Sequence, residues 1–132
     1  MTSLDHVGIA VSSIEERLEI YRALGLEVGG REEVASEKVR VAFLPLGETR
    51  LELLEATAPD SPIASFIAKR GEGVHHVCIR VEDVRAAMAE LASRGFALLS
   101  NEPRPGAHGA LVCFVHPRSA GGVLIELSQA GG

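Results

Sequence analysis

Apolar and polar positions alternate along Leu4-Asp5-His6-Val7-Gly8-Ile9-Ala10-Val11, and the pattern returns in Val74-His75-His76-Val77-Cys78-Ile79-Arg80-Val81. A strand turns successive side chains to opposite faces, so each stretch predicts a β-strand carrying a histidine at a fixed place. His6 falls on His76, an offset of 70. The period then changes. Ile14, Leu18 and Tyr21 recur at i, i+4 and i+7, one stripe of a helix. Ser13-Ile14-Glu15-Glu16 has the form of a capping box, and Gly25 supplies a left-handed stop. Downstream, Asp83 stands as cap, Val84, Met88 and Leu91 as stripe and Gly95 as stop, again at an offset of 70.

After each helix the pattern predicts a short apolar strand, Leu26 to Val28 and Phe96 to Leu99, then a polar loop and a longer β-rich run. The longer runs, Val39 to Leu44 before Pro45 and Leu111 to His116 before Pro117, align at an offset of 72. The last strands, Arg50 to Leu54 and Leu124 to Ser128, align at 74, which places Glu52 on Glu126. Insertions confined to loops account for such drift. The chain therefore reads as an α+β fold, βαβββ written twice, in a single domain over 1–132. Its repeats occupy 1–55 and 74–132. A linker over 56–73 joins them, with Ser61 as N-cap and Pro62 at the first helical position.

A chain of 132 residues that is 46% hydrophobic can bury a real core. The net charge of −5 argues against a nucleic-acid or anionic-membrane surface, which needs a basic face. The start runs straight into a strand pattern and no apolar run nears 20 residues, which predicts a soluble cytoplasmic protein. Cys78 and Cys113 lie inside apolar runs with no zinc-motif spacing, and are expected to be buried thiols. Gly29-Gly30 and Gly121-Gly122 lack a following helix, so neither is a phosphate loop.

Four side chains hold corresponding places in the two repeats: His6 and His76 on first strands, Glu52 and Glu126 on last strands. If the repeats assemble about a pseudo-twofold axis, these converge. Two imidazoles and two carboxylates suit an octahedral first-row cation, Mn²⁺, Co²⁺ or Ni²⁺, more than four-coordinate Zn²⁺. An unpaired carboxylate among leucines is costly to bury, so Glu52 and Glu126 either bind a metal or pair with a cation such as Arg40 or Arg80. By alternation Glu52 shares its face with Arg50 and Leu54. Asp5 is expected at the surface on the face opposite His6.

Along essentially its whole length the chain resembles the vicinal oxygen chelate superfamily, and within it the methylmalonyl-CoA epimerase family. The stretches that carry it are Leu4 through Val11 and His116-Pro117-Arg118 through Leu127, which fit many relatives, and the narrower Leu51-Glu52-Leu53-Leu54-Glu55, Asp60-Ser61-Pro62-Ile63-Ala64, Gly71-Glu72-Gly73-Val74-His75-His76 and Glu102-Pro103-Arg104-Pro105-Gly106. The resemblance implies a curved eight-stranded mixed sheet around a metal site, with His6, Glu52, His76 and Glu126 as ligands. The implied cofactor is a divalent ion, foremost Co²⁺, Mn²⁺ or Ni²⁺, with Zn²⁺ or Mg²⁺ as alternatives. It further implies interconversion of the (R) and (S) forms of methylmalonyl-CoA, an acyl-CoA substrate, and a homodimer.

Moving a proton between two faces of a carbon wants two bases. In the family Glu126 is one. Some members carry a glutamate on the third strand at the place assigned here to Arg40, which cannot act as a base. Glu52 is the expected substitute, with Glu37 a weaker one. Lys69, Arg70, Arg104 and Arg118 are available to coenzyme A phosphates without any one being singled out. Rival readings are a glyoxalase-I-like isomerase, an extradiol dioxygenase, which needs two histidines and one carboxylate on iron, and a drug-sequestering module that performs no chemistry.

Overall fold

The computed structural model describes residues 2–131. Local sequence sets its helices. Ser13 accepts the Glu16 N–H at 3.2 Å to open α1 (Ile14–Ala23), and Gly25 leaves it at φ 92°. Asp83 accepts the Ala86 N–H at 3.0 Å to open α3 (Val84–Ser93), and Gly95 follows at φ 84°. Between them Ser61 accepts the Ile63 N–H at 3.1 Å, with Pro62 starting α2 (Pro62–Arg70). All three caps stand where the sequence places them.

The strands are β1 (Ser3–Ala10), β2 (Gly30–Val34), β3 (Val39–Leu46), β4 (Thr49–Ala56), β5 (Gly73–Arg80), β6 (Arg104–Pro105), β7 (Leu111–Val115) and β8 (Ile125–Gln129). Each repeat thus runs βαβββ, with α2 between them. By contact the chain divides into one compact unit of His6–His75 and another that joins the residues through Asp5 to those from His76 onward. In the first, strands are ordered β2-β3-β4-β1, with β1 parallel to β4 and the other pairs antiparallel. In the second the order is β6-β7-β8-β5, with β5 parallel to β8 and the other pairs antiparallel.

The same core is built in each. Val11, Ile14, Leu18, Ala42, Leu44 and Leu53 are buried together in the first unit. Val84, Met88, Cys113 and Leu127 are buried in the second, with Ile79, Val81 and Leu91 packed against them. Cys113 occupies the place of Ala42, so its thiol serves as a small apolar side chain. Both cysteines are buried and unbridged. None of the described helices is long and apolar enough to cross a membrane.

Three sequence expectations are corrected. The strand foreseen at Leu26 to Val28 lies at β2, a Gly-Arg-Glu-Glu-Val stretch at the sheet edge with largely exposed side chains. An edge strand exposed in this way shows no apolar period, while Leu26 and Val28 pack on the core without forming a ladder. Likewise Phe96 to Leu99 contributes only a single bridge, Leu98 with Val115, and the strand is the two-residue β6. The longer runs align at an offset of 71 rather than 72. Phe43 pairs with Glu52, and Phe114 pairs with Glu126. The two prolines are not equivalent: Pro45 lies within β3 opposite Arg50, whereas Pro117 begins a 3-10 turn after β7.

Candidate metal centre

In each repeat the face of the last strand away from the helix carries the glutamate. Leu51 and Leu53 of β4 pack into the first core, so Glu52 points the other way. On β1, Ile9 and Val11 pack into that core, which turns His6 to the face of Glu52. There His6 Nδ1 lies 3.2 Å from Glu52 Oε2. In the second unit His76 Nε2 lies 3.0 Å from Glu126 Oε1, and the Phe114 ring meets the imidazole edge-on at 6.0 Å. All four residues are buried, from 4% exposure at Glu52 to 8% at Glu126.

This geometry admits a cation. Two donors each about 2.1 Å from an octahedral ion stand about 3.0 Å apart, which is the histidine–glutamate spacing in both pairs. Imidazole and carboxylate are donor types that divalent first-row metals take.

Each unit also brings in neighbours that the sequence left open. Arg50 donates to Glu52 Oε2 from Nε at 2.8 Å and approaches it from Nη2 at 2.7 Å. Arg50 Nη2 also comes within 3.4 Å of His6 Nδ1. The signal for this contact was the two-residue spacing that puts Arg50 on the face of Glu52. Neither cation named as a structural partner for the glutamates takes that role. Arg40 pairs with Glu55 at 2.5 Å, directly across the ladder. Arg80 donates to Asp5 from Nε at 2.9 Å and from Nη2 at 2.5 Å, so Asp5 is a buried ion-pair member rather than a surface residue.

Arg40 proves to lie on the core side of β3, in line with Ala42 and Leu44. The third-strand residues that share the face of Glu52 are Val41, paired with Leu54, and Phe43. The position facing Glu52 is therefore apolar, and Arg40 displaces no group from that side. Glu37 lies in a 3-10 turn before β3.

Glu55 has a second task. Its Oε1 accepts the Ile14 N–H at 2.7 Å, fastening β4 to the first residue of α1. Gln129, its counterpart, accepts the Val84 N–H at 2.9 Å and so fastens β8 to α3. Opposite Gln129 stands Leu111, where the first repeat has Arg40 opposite Glu55. The arginine thus accompanies the carboxylate form of the tether. In the second unit burial pushes the Cys113 thiol up to about 11, with the Glu126 charge adding to the rise.

Comparison with known proteins agrees with this architecture. Residues 5–114 match the model of the Glyoxalase/Bleomycin resistance protein/Dioxygenase superfamily. A mitochondrial methylmalonyl-CoA epimerase of Bos taurus is 43% identical over 129 residues, covering 96% of this chain and 74% of the relative. An ethylmalonyl-CoA/methylmalonyl-CoA epimerase of Cereibacter sphaeroides is likewise 43% identical, with 96% of each chain covered. The solved structure of a Streptomyces coelicolor methylmalonyl-CoA epimerase variant, in complex with 2-nitronate-propionyl-CoA, superposes with a TM-score of 0.94 at 39% identity. That match covers 98% of this chain and 95% of the other. The doubled βαβββ plan, the paired histidines and glutamates and the match over most of the sequence have one conclusion: the chain belongs to the glyoxalase/bleomycin resistance protein/dioxygenase superfamily.

Proposed function

We propose that the chain is a metal-dependent epimerase that interconverts the (R) and (S) forms of methylmalonyl-CoA, and that His6, Glu52, His76 and Glu126 together hold its divalent ion. The observation that carries this is the buried histidine–glutamate pair repeated in each half, in a chain 43% identical to methylmalonyl-CoA epimerases over nearly its whole length. Co²⁺, Mn²⁺ and Ni²⁺ are the ions best suited to the set.

The carbon to be inverted lies between a thioester and a carboxylate, so its proton is acidic. Loss of the proton gives an enolate, and return to the opposite face gives the other epimer. A bound divalent cation supplies Lewis acidity for the negative charge that develops on the thioester oxygen. Glu126 and Glu52 are the proposed proton carriers, one for each face. Their burial strengthens electrostatic interaction with the reacting group and limits loss of the proton to water. His6 and His76 orient the carboxylates at 3.2 and 3.0 Å. The acyl-CoA is held outside this set, and the active form is a homodimer.

Exchange of the α-proton tests the reading. Incubated with one epimer in deuterated buffer, the metal-loaded protein is expected to incorporate deuterium and form the other epimer, and a chelator to stop both. Glu126→Gln and Glu52→Gln should each slow epimerisation by at least about 100-fold. Full epimerisation by Glu52→Gln with loss in Glu126→Gln would remove the two-glutamate scheme. Absence of metal-dependent exchange would remove the epimerase, and activity on a glutathione hemithioacetal would favour a glyoxalase.

A further inference from the structure

The second repeat closes against the segment that leaves its helix, and the first does not. In the second, the His116 N–H donates to the Ala97 C=O at 2.9 Å, and Ser119 Oγ accepts the Ala97 N–H at 2.9 Å. Glu27 is the counterpart of Ala97 at an offset of 70, and Pro45 that of His116 at 71. Pro45 has no N–H to give. Nothing replaces Ser119 either, because β4 resumes at Thr49 after a short turn at Gly47-Glu48, whereas a 3-10 turn (Pro117–Ala120) intervenes between β7 and β8. Among the described residues neither the N–H nor the C=O of Glu27 has a partner. A groove of about 480 Å³ runs there, lined by Leu24, Leu26, Glu27, Val28, Pro45 and Leu46. Gly29 lets the proline ring lie against the segment, since a Cβ there would stand 2.8 Å from Pro45 Cγ. In extended backbone the N–H and C=O of one residue point to the same side, as those of Ala97 do. Glu27 thus offers one donor and one acceptor together.

We propose that this groove takes the pantetheine arm of the acyl-CoA, paired through its amides with the Glu27 backbone. The proposal rests on the reading of an acyl-CoA substrate and adds where the arm runs. The β-alanyl unit of pantetheine carries the N–H of one amide and the C=O of the next, as a peptide residue does, and so matches the Glu27 C=O and N–H in the manner of an added strand. The methylenes and paired methyl groups of the arm suit the leucine, valine and proline lining, and the volume is that of a small-molecule site. The groove is also continuous with the proposed reacting centre. Pro45 pairs with Arg50 and Phe43 with Glu52, so the groove begins two residues along β3 from the ladder partner of Glu52, about 7 Å of strand.

Two variants and two thioesters test this. Pro45→Ala returns an N–H that closes on the Glu27 C=O, as that of His116 does on Ala97, and Leu46→Asp lays a charge along the arm. In each, the KM for methylmalonyl-pantetheine is expected to rise about tenfold, with kcat within about twofold of wild type. The S-ethyl thioester of methylmalonate, which carries no amide, should react with unchanged constants. Equal KM shifts with both thioesters, or none with the pantetheine thioester, overturn the proposal. If Pro45→Ala does not fold, Leu46→Asp decides by the same comparison. If the wild-type protein fails on either thioester, calorimetric titration of coenzyme A decides. Binding about tenfold weaker in the variants than in wild type supports the groove, and equal binding, or none by wild type, overturns it. Failure of wild type on methylmalonyl-CoA itself removes the epimerase reading separately.

Discussion

Glu52 and Glu126 occupy equivalent places with different company. One lies beside a guanidinium and the other beside an aromatic edge packed on its histidine. The doubled sequence made both glutamates and both histidines legible, because a shared place in two repeats is improbable for a residue without a task. It did not reveal that Asp5 would be buried against Arg80, 75 positions away. Contacts at that separation leave no local signature. The cysteines were legible from their apolar surroundings, and their chemistry follows. With Cys113 pushed up to about 11 and both sulfurs shut from solvent, neither thiol is expected to react with a disulfide reagent at neutral pH in the native protein. Two equivalents should appear on denaturation, and a fast native reaction measured by thiolate release would contradict this burial.

At the scale of elements, caps and stripes read cleanly because their partners lie within one helical turn. β2 did not, since an edge strand with exposed side chains owes its existence to pairing with β3 rather than to a pattern of its own. The tethers from Glu55 and Gln129 were equally hidden, as each spans more than 40 positions. A third long-range fastening is Glu72, which accepts the Ser12 N–H at 3.1 Å and grips Arg17 through Nε and Nη2 at 3.0 and 2.8 Å. The hydrogen bond from Arg17 holds the Glu72 carboxyl below its ordinary range, with the Ser12 N–H adding to the effect. A carboxyl depressed on folding stabilises above its unfolded pKa of about 4.3, and that contribution fades as pH falls through the lower folded value. Glu72→Gln should therefore lower the melting temperature at pH 7 and flatten its fall below about pH 4. Equal slopes in the two proteins would show that Glu72 plays no part in acid sensitivity. The side chain is part-exposed, so the effect is small.

For the whole molecule, each unit buries an apolar core of its own, with Ile14, Leu18 and Leu53 in one and Val84, Met88 and Leu127 in the other, so the fold is expected to stand without a metal. The metal centre is then expected to add to stability by mass action alone. Saturating Co²⁺ or Mn²⁺ at about 100 times its dissociation constant adds about 2.7 kcal/mol, a rise of several degrees in the melting temperature. A chelator should reverse that rise and leave the far-ultraviolet circular dichroism of the folded state unchanged. Collapse of the dichroism on chelation at 25 °C would show instead that the ion holds the fold.

The unequal dress of the two glutamates reaches into kinetics. No catalyst alters the proportion of epimers at equilibrium, so the guanidinium beside Glu52 leaves the end point untouched. It acts on the route. In the two-glutamate proposal, a proton on the carboxylate beside Arg50 and one on Glu126 face different surroundings. The fraction of solvent hydrogen taken up is then expected to differ between conversion from one epimer and conversion from the other, and equal uptake in deuterated buffer would show that the two carboxylates exchange alike.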